Sequence, residues 1–291
     1  MTIRIERQGR VVTVIQSRPE VRNAVDPEHA LALYEAFIAF DCDETADVAV
    51  LWGEGGAFCA GADLRSLAAR DETKPRPSLE FPKHGGPIPR GPMGPSRLQL
   101  SKPVIAAIEG PAVGGGMELA LWADCRIMAN AAYMGIFNRR WGVPLSDGGT
   151  VRLPRIVGHG RALEIIMTGR RVEADECLRI GLCEKVVPNG CARQAAEAMA
   201  QDIARFPQAC MRADRRSVYL QHGLPVLAAL ESEWANSNGV FKAEGAAGAA
   251  RFVTGAGRHG SFYNLAITKP VGVDDAAYST GADIADAKRS V

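Results

Sequence analysis

Val104-Ile-Ala-Ala-Ile-Glu-Gly-Pro-Ala-Val-Gly-Gly-Gly-Met-Glu118 sets a short apolar run, a glycine turn and an acid side by side. Val104 to Ile108 reads as a strand, Gly110-Pro111 breaks it, and the triple glycine opens an apolar helix from Met117 to Trp122. A further strand, Cys125 to Ala129, follows at once. Strands alternating with helices predict an α/β architecture, although periodicity does not fix strand order. Glycines let the backbone approach a ligand, and the unpaired N–H groups of a first helical turn attract negative charge. Glu118 lies three residues after Gly115, about one turn along the same face. Two readings follow: an acid or base beside an oxyanion donor, or an N-terminal charge on a glycine-packed helix crossing.

A second segment, Ala57-Phe-Cys-Ala-Gly-Ala-Asp-Leu64, joins a strand end to a helix expected to begin near Ala62, and it presents another free N–H. Two such donors converging from separate loops make an oxyanion hole, which stabilises charge as it develops. Upstream, Ile3 and Ile5 with Val12 and Val14 alternate about Gln8-Gly9 as a hairpin. From Pro27 to about Phe40, Leu31, Leu33, Tyr34, Phe37 and Ile38 recur at helical spacing, and a strand from Val48 to Trp52 follows. Residues 74–97 hold seven of the 17 prolines and read as a long loop, a lid or a disordered stretch. Beyond Glu197 the pattern is helical, and 263–291 reads as a polar tail.

The 291 residues and 47% hydrophobic content exclude small disulfide scaffolds and disordered chains. The net charge of +1 offers no field for nucleic acid or an anionic membrane. Seven scattered cysteines without a C-x-x-C pair read as reduced thiols of a cytoplasmic protein. No signal core or membrane-spanning run is visible. H-E-x-x-H, G-x-S-x-G and the phosphate-binding loop motif are missing, and Leu119 stands where a dinucleotide fingerprint needs its third glycine. Five dispersed histidines suggest no metal cluster.

Together these segments resemble the crotonase, or enoyl-CoA hydratase/isomerase, family. The match includes Arg18-Pro-Glu-Val-Arg-Asn-Ala-Val25, Ala57 to Leu64, Lys102 to Gly110 and Gly114 to Ala120. It continues through Gly148 to Pro154, Thr168-Gly-Arg and Gly181 to Pro188, covering roughly residues 1–262. The resemblance implies an α/β spiral of ββα turns over 1–198, carrying the Pro-rich loop over the acyl pocket. A helical region, 199–262, would build homotrimers, often paired into hexamers. It also implies acyl-CoA thioester chemistry, with coenzyme A as part of the substrate and no separate cofactor or metal. Carried over residue by residue, the Ala60 and Gly115 amides fall on the oxyanion pair, and Glu118 on the first hydratase glutamate. Arg22, Ala24, Ala60, Gly61, Ala62, Asp63 and Leu64 fall where the family lines its CoA site.

The second hydratase glutamate falls on Asn138, and an asparagine cannot take a proton from water. Asp147 can fill the gap, because some family members carry an aspartate on this loop; the gapless count places it at Ser146 and the local match at Asp147. Asp147 reads equally as a cap for a helix starting near Gly149. Arg139 and Arg140 read as surface ion-pair partners or as facing an acyl carboxylate, and Asp124 as a structural partner. Hydration of a 2-enoyl-CoA is the family default, with double-bond isomerisation beside it; Asn138 also admits a non-catalytic acyl-CoA binder.

Overall fold

The computed structural model describes residues 2–69, 78–83 and 86–257. Parts of the expected 74–97 loop and 199–262 region, and all of the 263–291 tail, lie outside them. The described chain contains two compact units, Met1–Ala200 and a second beginning at Gln201.

In the first unit β1 (Ile3–Gln8) and β2 (Val11–Gln16) form the expected antiparallel hairpin, Gln8 paired with Val11. Every residue of β2 is buried, as an interior strand requires, whereas β1 is an exposed edge. Helix α1 (Pro27–Cys42) starts where Asp26 accepts a hydrogen bond from the His29 amide at 2.8 Å and Pro27 fixes the first φ. It buries His29, Ala30, Leu33, Phe37 and Phe40. Leu31 and Ile38, expected in its apolar stripe, are exposed instead. The helix carries apolar residues nearly all round, so spacing alone does not choose the buried face.

β3 (Val48–Gly53) lies parallel to β2, and α2 (Leu64–Ala68) follows. This helix begins two residues later than expected because Asp63 is its cap, accepting from the Arg65 and Ser66 amides. Next come β4 (Val104–Ile108), β5 (Pro111–Val113), α3 (Gly115–Trp122), β6 (Cys125–Ala129) and β7 (Tyr133–Gly135). Helices α4 (Gly149–Val157) and α5 (His159–Thr168), strand β8 (Arg171–Glu173), α6 (Ala174–Arg179), β9 (Lys185–Val187) and α7 (Ala192–Ala204) complete the order. One sheet runs β1-β2-β3-β4-β6-β9, parallel beyond the hairpin; a smaller one runs β5-β7-β8. The chain thus crosses between sheets at Gly110, immediately before the glycine turn.

Phe37 of α1 meets Trp122 of α3 edge to face at 4.8 Å, and the Trp122 indole donates to the Leu98 carbonyl at 2.9 Å. Asp124 accepts from the Val104 amide at 2.7 Å, the structural role expected of it. These contacts fix the end of α3 against α1 and the start of β4.

The second unit holds α8 (Gln208–Leu220), α9 (Val226–Val240), a π-helical turn at Phe241–Gly245 and α10 (Ala246–Val253). Asn236 of α9 donates to the Ala213 carbonyl and the Ser217 hydroxyl of α8. Among the described residues, no helix is long and apolar enough to cross a membrane.

Candidate active site

Residues 22–25 and 59–63 run side by side. The Ala60 amide donates to the Arg22 carbonyl at 3.0 Å, Val25 N–H to Gly61 O at 2.8 Å, and Asp63 N–H to Val25 O at 2.9 Å. The residues expected to line the CoA site therefore come together, with Arg22, Ala62 and Leu64 exposed along one edge. Ala60 needs correction as an oxyanion donor, since its N–H is already engaged by Arg22. Because Val25 bonds the residues on either side of Ala62, the Ala62 amide points to the opposite side. On that side Cys59 pairs with β5, which leads into Gly115. Among the described residues the amides of Ala62 and Gly115 have no acceptor. A Cβ on Gly61 would stand 3.0 Å from the Gly115 nitrogen, so the two segments approach as closely as a glycine permits.

Glu118 is 2% exposed, in the first turn of α3. Its Oε1 accepts from the Asp147 and Gly149 amides, each at 2.9 Å. Burial, with the Asp147 charge adding to it, raises its carboxyl to about 7 against the backbone amides of Gly149, Asp147 and Ser146. A carboxyl poised there can both take and return a proton near neutral pH. Gly149 has no side chain to intrude, as a Cβ there would lie 3.1 Å from the glutamate.

Asp147 is 4% exposed, but it does not cap α4: the residue at the cap is Gly148, and no side chain bonds there. The carboxylate instead accepts from the Met93 amide at 2.9 Å and from the Ser96 hydroxyl. Burial is the main influence raising its carboxyl, against these bonds and the charges of Arg97 and Arg152. The end of the Pro-rich loop is therefore tied down rather than free, and Met93 is buried against Gly115. Sequence reading missed Met93, Ser96 and Arg152, since the pairing of Met93 and Ser96 with 147, and of Arg152 with Ser96, spans more than fifty positions and carries no local pattern.

Asn138 stands beside Gly114, about 3.7 Å from where a Cβ there would sit. Its Nδ2 donates to the Val143 carbonyl at 2.8 Å, which fixes Oδ1 as a buried acceptor with no partner among the described residues. Arg139 donates to the Ile166 carbonyl; Arg140 donates to the Gly169 carbonyl and lies over the Phe137 ring, and among the described residues neither forms a surface ion pair. Cys59 is fully buried, its thiol pushed up to about 12 by desolvation and donating to the Asn23 carbonyl, which makes it inert.

A family model described as Enoyl-CoA hydratase/isomerase matches residues 6–253. The enoyl-CoA hydratase EchA19 of Mycobacterium tuberculosis is 33% identical, the alignment covering 74% of this chain and 79% of that protein. The carnitinyl-CoA dehydratase of Salmonella arizonae is 37% identical over 72% of this chain and 77% of its own. A solved enoyl-CoA hydratase from Mycobacterium tuberculosis H37Rv superposes with a TM-score of 0.78 at 29% identity, covering 87% of this chain and 96% of that one.

Proposed function

We propose, from the premise that this chain belongs to the enoyl-CoA hydratase/isomerase family, that the carbonyl oxygen of an acyl-CoA thioester sits between the Ala62 and Gly115 amides while Glu118 moves a proton at the α-carbon. The observation that carries this reading is the free amide pair beside one buried carboxyl raised to about 7. As negative charge grows on the thioester oxygen, two fixed N–H dipoles meet it without reorganising; one such donor is worth roughly 10²–10³ in rate. The exposed edge of Arg22, Ala62 and Leu64, with half-buried Asp63 and buried Ala24 beside it, is the place for coenzyme A, which belongs to the substrate.

Hydration is the first reading, in keeping with relatives named hydratase and dehydratase. Water oxygen bonds to the β-carbon, the conjugated π electrons pass to the thioester oxygen, and the enolate then takes its α-proton from Glu118. The unpaired Asn138 Oδ1 can hold that water by accepting one of its hydrogens, yet cannot remove it. Glu118 must therefore both receive the water proton and supply the α-proton. Isomerisation is the second reading, favoured by Asn138 itself, because moving a proton from one carbon to another needs only one carboxyl.

A panel of 2-enoyl-CoA thioesters, followed by loss of conjugated absorbance and by product mass, decides between them. Hydration adds one water, and isomerisation leaves the mass unchanged. Glu118→Gln keeps an Oε1 acceptor for both amides and removes turnover. Tight binding of every thioester by calorimetry without any product would instead establish a binder.

In the second unit Leu227, Leu230, Trp234 and Phe241 are more than half exposed at helical spacing. Such a stripe fits a homotrimer, or a hexamer of two trimers. Light scattering is expected to give a trimer or hexamer for the native chain and a smaller species for Trp234→Arg.

A further inference from the structure

Asp147 does not cap α4, and its two ends bond to separate parts of the site. Its carboxylate accepts from the Met93 amide at 2.9 Å and from the Ser96 hydroxyl, while its own amide donates to Glu118 Oε1 at 2.9 Å. Arg152 closes the arrangement by donating to the Asp147 carbonyl at 2.9 Å and to the Ser96 carbonyl at 2.7 Å. The turn at Gly91–Gly94 is itself closed by reciprocal amide to carbonyl bonds of 2.9 Å. A Cβ on Gly91 would fall 1.8 Å from the Ser96 hydroxyl and 2.7 Å from Asp147 Oδ1, so only glycine lets the clasp form. The turn carries Met93, whose sulfur would be 2.5 Å from a Cβ on Gly115. Met93 thus lies over the first residue of α3, whose amide is one of the two proposed carbonyl donors.

We propose that Asp147 is a positioning residue: its carboxylate clasps the 91–96 turn over Gly115, and its main-chain amide orients Glu118. One residue thereby sets both the roof of the carbonyl site and the aim of the acid. Oε1 is held by the Asp147 and Gly149 amides, which fixes how the carboxyl is presented. This inference rests on the reading of Glu118 as the proton carrier.

The negative charge of Asp147 also faces Glu118 and helps keep its carboxyl high. The charged groups packed around the pair are Arg97 from the 3-10 turn at Pro95–Arg97, Arg152 from α4 and Arg90 from the preceding segment; β5 brings none. Asp147→Asn keeps an Oδ1 acceptor for Met93 and Ser96 but removes the charge. Asp147→Ala removes both, and Ser96→Ala removes one donor while leaving the charge.

The test is kcat and KM against pH with crotonyl-CoA and longer 2-enoyl-CoA thioesters, together with amide exchange by mass spectrometry over 91–98. Asp147→Asn is expected to move the acid limb of kcat/KM down by about half a pH unit or more, with plateau kcat within about threefold of wild type. Asp147→Ala is expected to lose about tenfold or more in kcat and to exchange faster over 91–98. Ser96→Ala is expected to exchange faster without moving the acid limb. An acid limb unmoved in Asp147→Asn, or wild-type exchange and kcat in Ser96→Ala and Asp147→Ala, overturns the positioning role. Should Asp147→Ala not fold, the other two variants decide. Full turnover by Glu118→Gln would overturn the reading of Glu118 instead, and no turnover by wild type with binding retained would do the same, so the two failures are distinct.

Discussion

A methyl group on Gly61 would stand 2.8 Å from the Val113 carbonyl and 3.0 Å from the Gly115 amide, in the space between the two candidate donors. The residue also has φ of +90°, which a Cβ disfavours. Gly61→Ala is therefore expected to lower kcat/KM by about 10²-fold, the scale of one lost oxyanion donor, with the circular-dichroism spectrum of wild type. A kcat/KM within about threefold would mean that the carbonyl binds elsewhere. At this scale much of the site was legible in sequence: Gly115 and Glu118 come from one local motif, and the glycine before Ala62 from another. Ala60 was misassigned because a free amide and an engaged one look identical until the chain across from it, at Arg22, is in place. The cap reading of Asp147 fails for the same reason, its carboxylate being bonded to Met93 and Ser96 rather than to its own helix.

Elements follow from pattern wherever a run of residues is long enough to show alternation or continuous burial. The antiparallel hairpin appears as expected from its alternation about Gln8-Gly9, and the strands at Val48, Val104 and Cys125 appear as expected because their apolar runs match buried parallel strands. Three-residue strands such as β5 and β8 carry too little pattern to be read, and they exist because a neighbouring strand supplies their hydrogen bonds. Helix α1 was placed correctly, yet its inner face was not. Phe37 is fully buried against Trp122, and Ile38 is 38% exposed. Phe37→Ala is expected to cost about 3–5 kcal/mol and Ile38→Ala less than about 1 kcal/mol in urea unfolding. Equal costs would place the core on the other side of the helix.

Across the whole molecule, folding and function are linked through the buried carboxyl. Glu118 has its ordinary value of 4.5 when unfolded and about 7 when folded, owing to burial and then the Asp147 charge. A raised folded value means that its contribution is complete below pH 4.5 and is lost as pH rises through 7, by at most about 3 kcal/mol. His29 works in the opposite sense: burial and the Arg18 charge lower it to about 4, so its contribution is lost as pH falls from 6.5 through 4. Subtracting the unfolding free energy of Glu118→Gln from that of wild type isolates the glutamate. The difference is expected to move against wild type between pH 5 and 8, roughly as those pKa values require. A difference independent of pH would show a carboxyl of ordinary acidity.

The most direct test asks whether Glu118 exchanges protons with a carbon held beside the two amides. Saturated acyl-CoA thioesters of several chain lengths, incubated with the protein in deuterium oxide, report this by proton NMR as loss of the α-proton signal, without water addition or a double bond. The wild-type chain is expected to exchange that proton, and Glu118→Gln to do so at least about 10²-fold more slowly. Equal rates in the two proteins, or background rates in both across the series, would contradict the account.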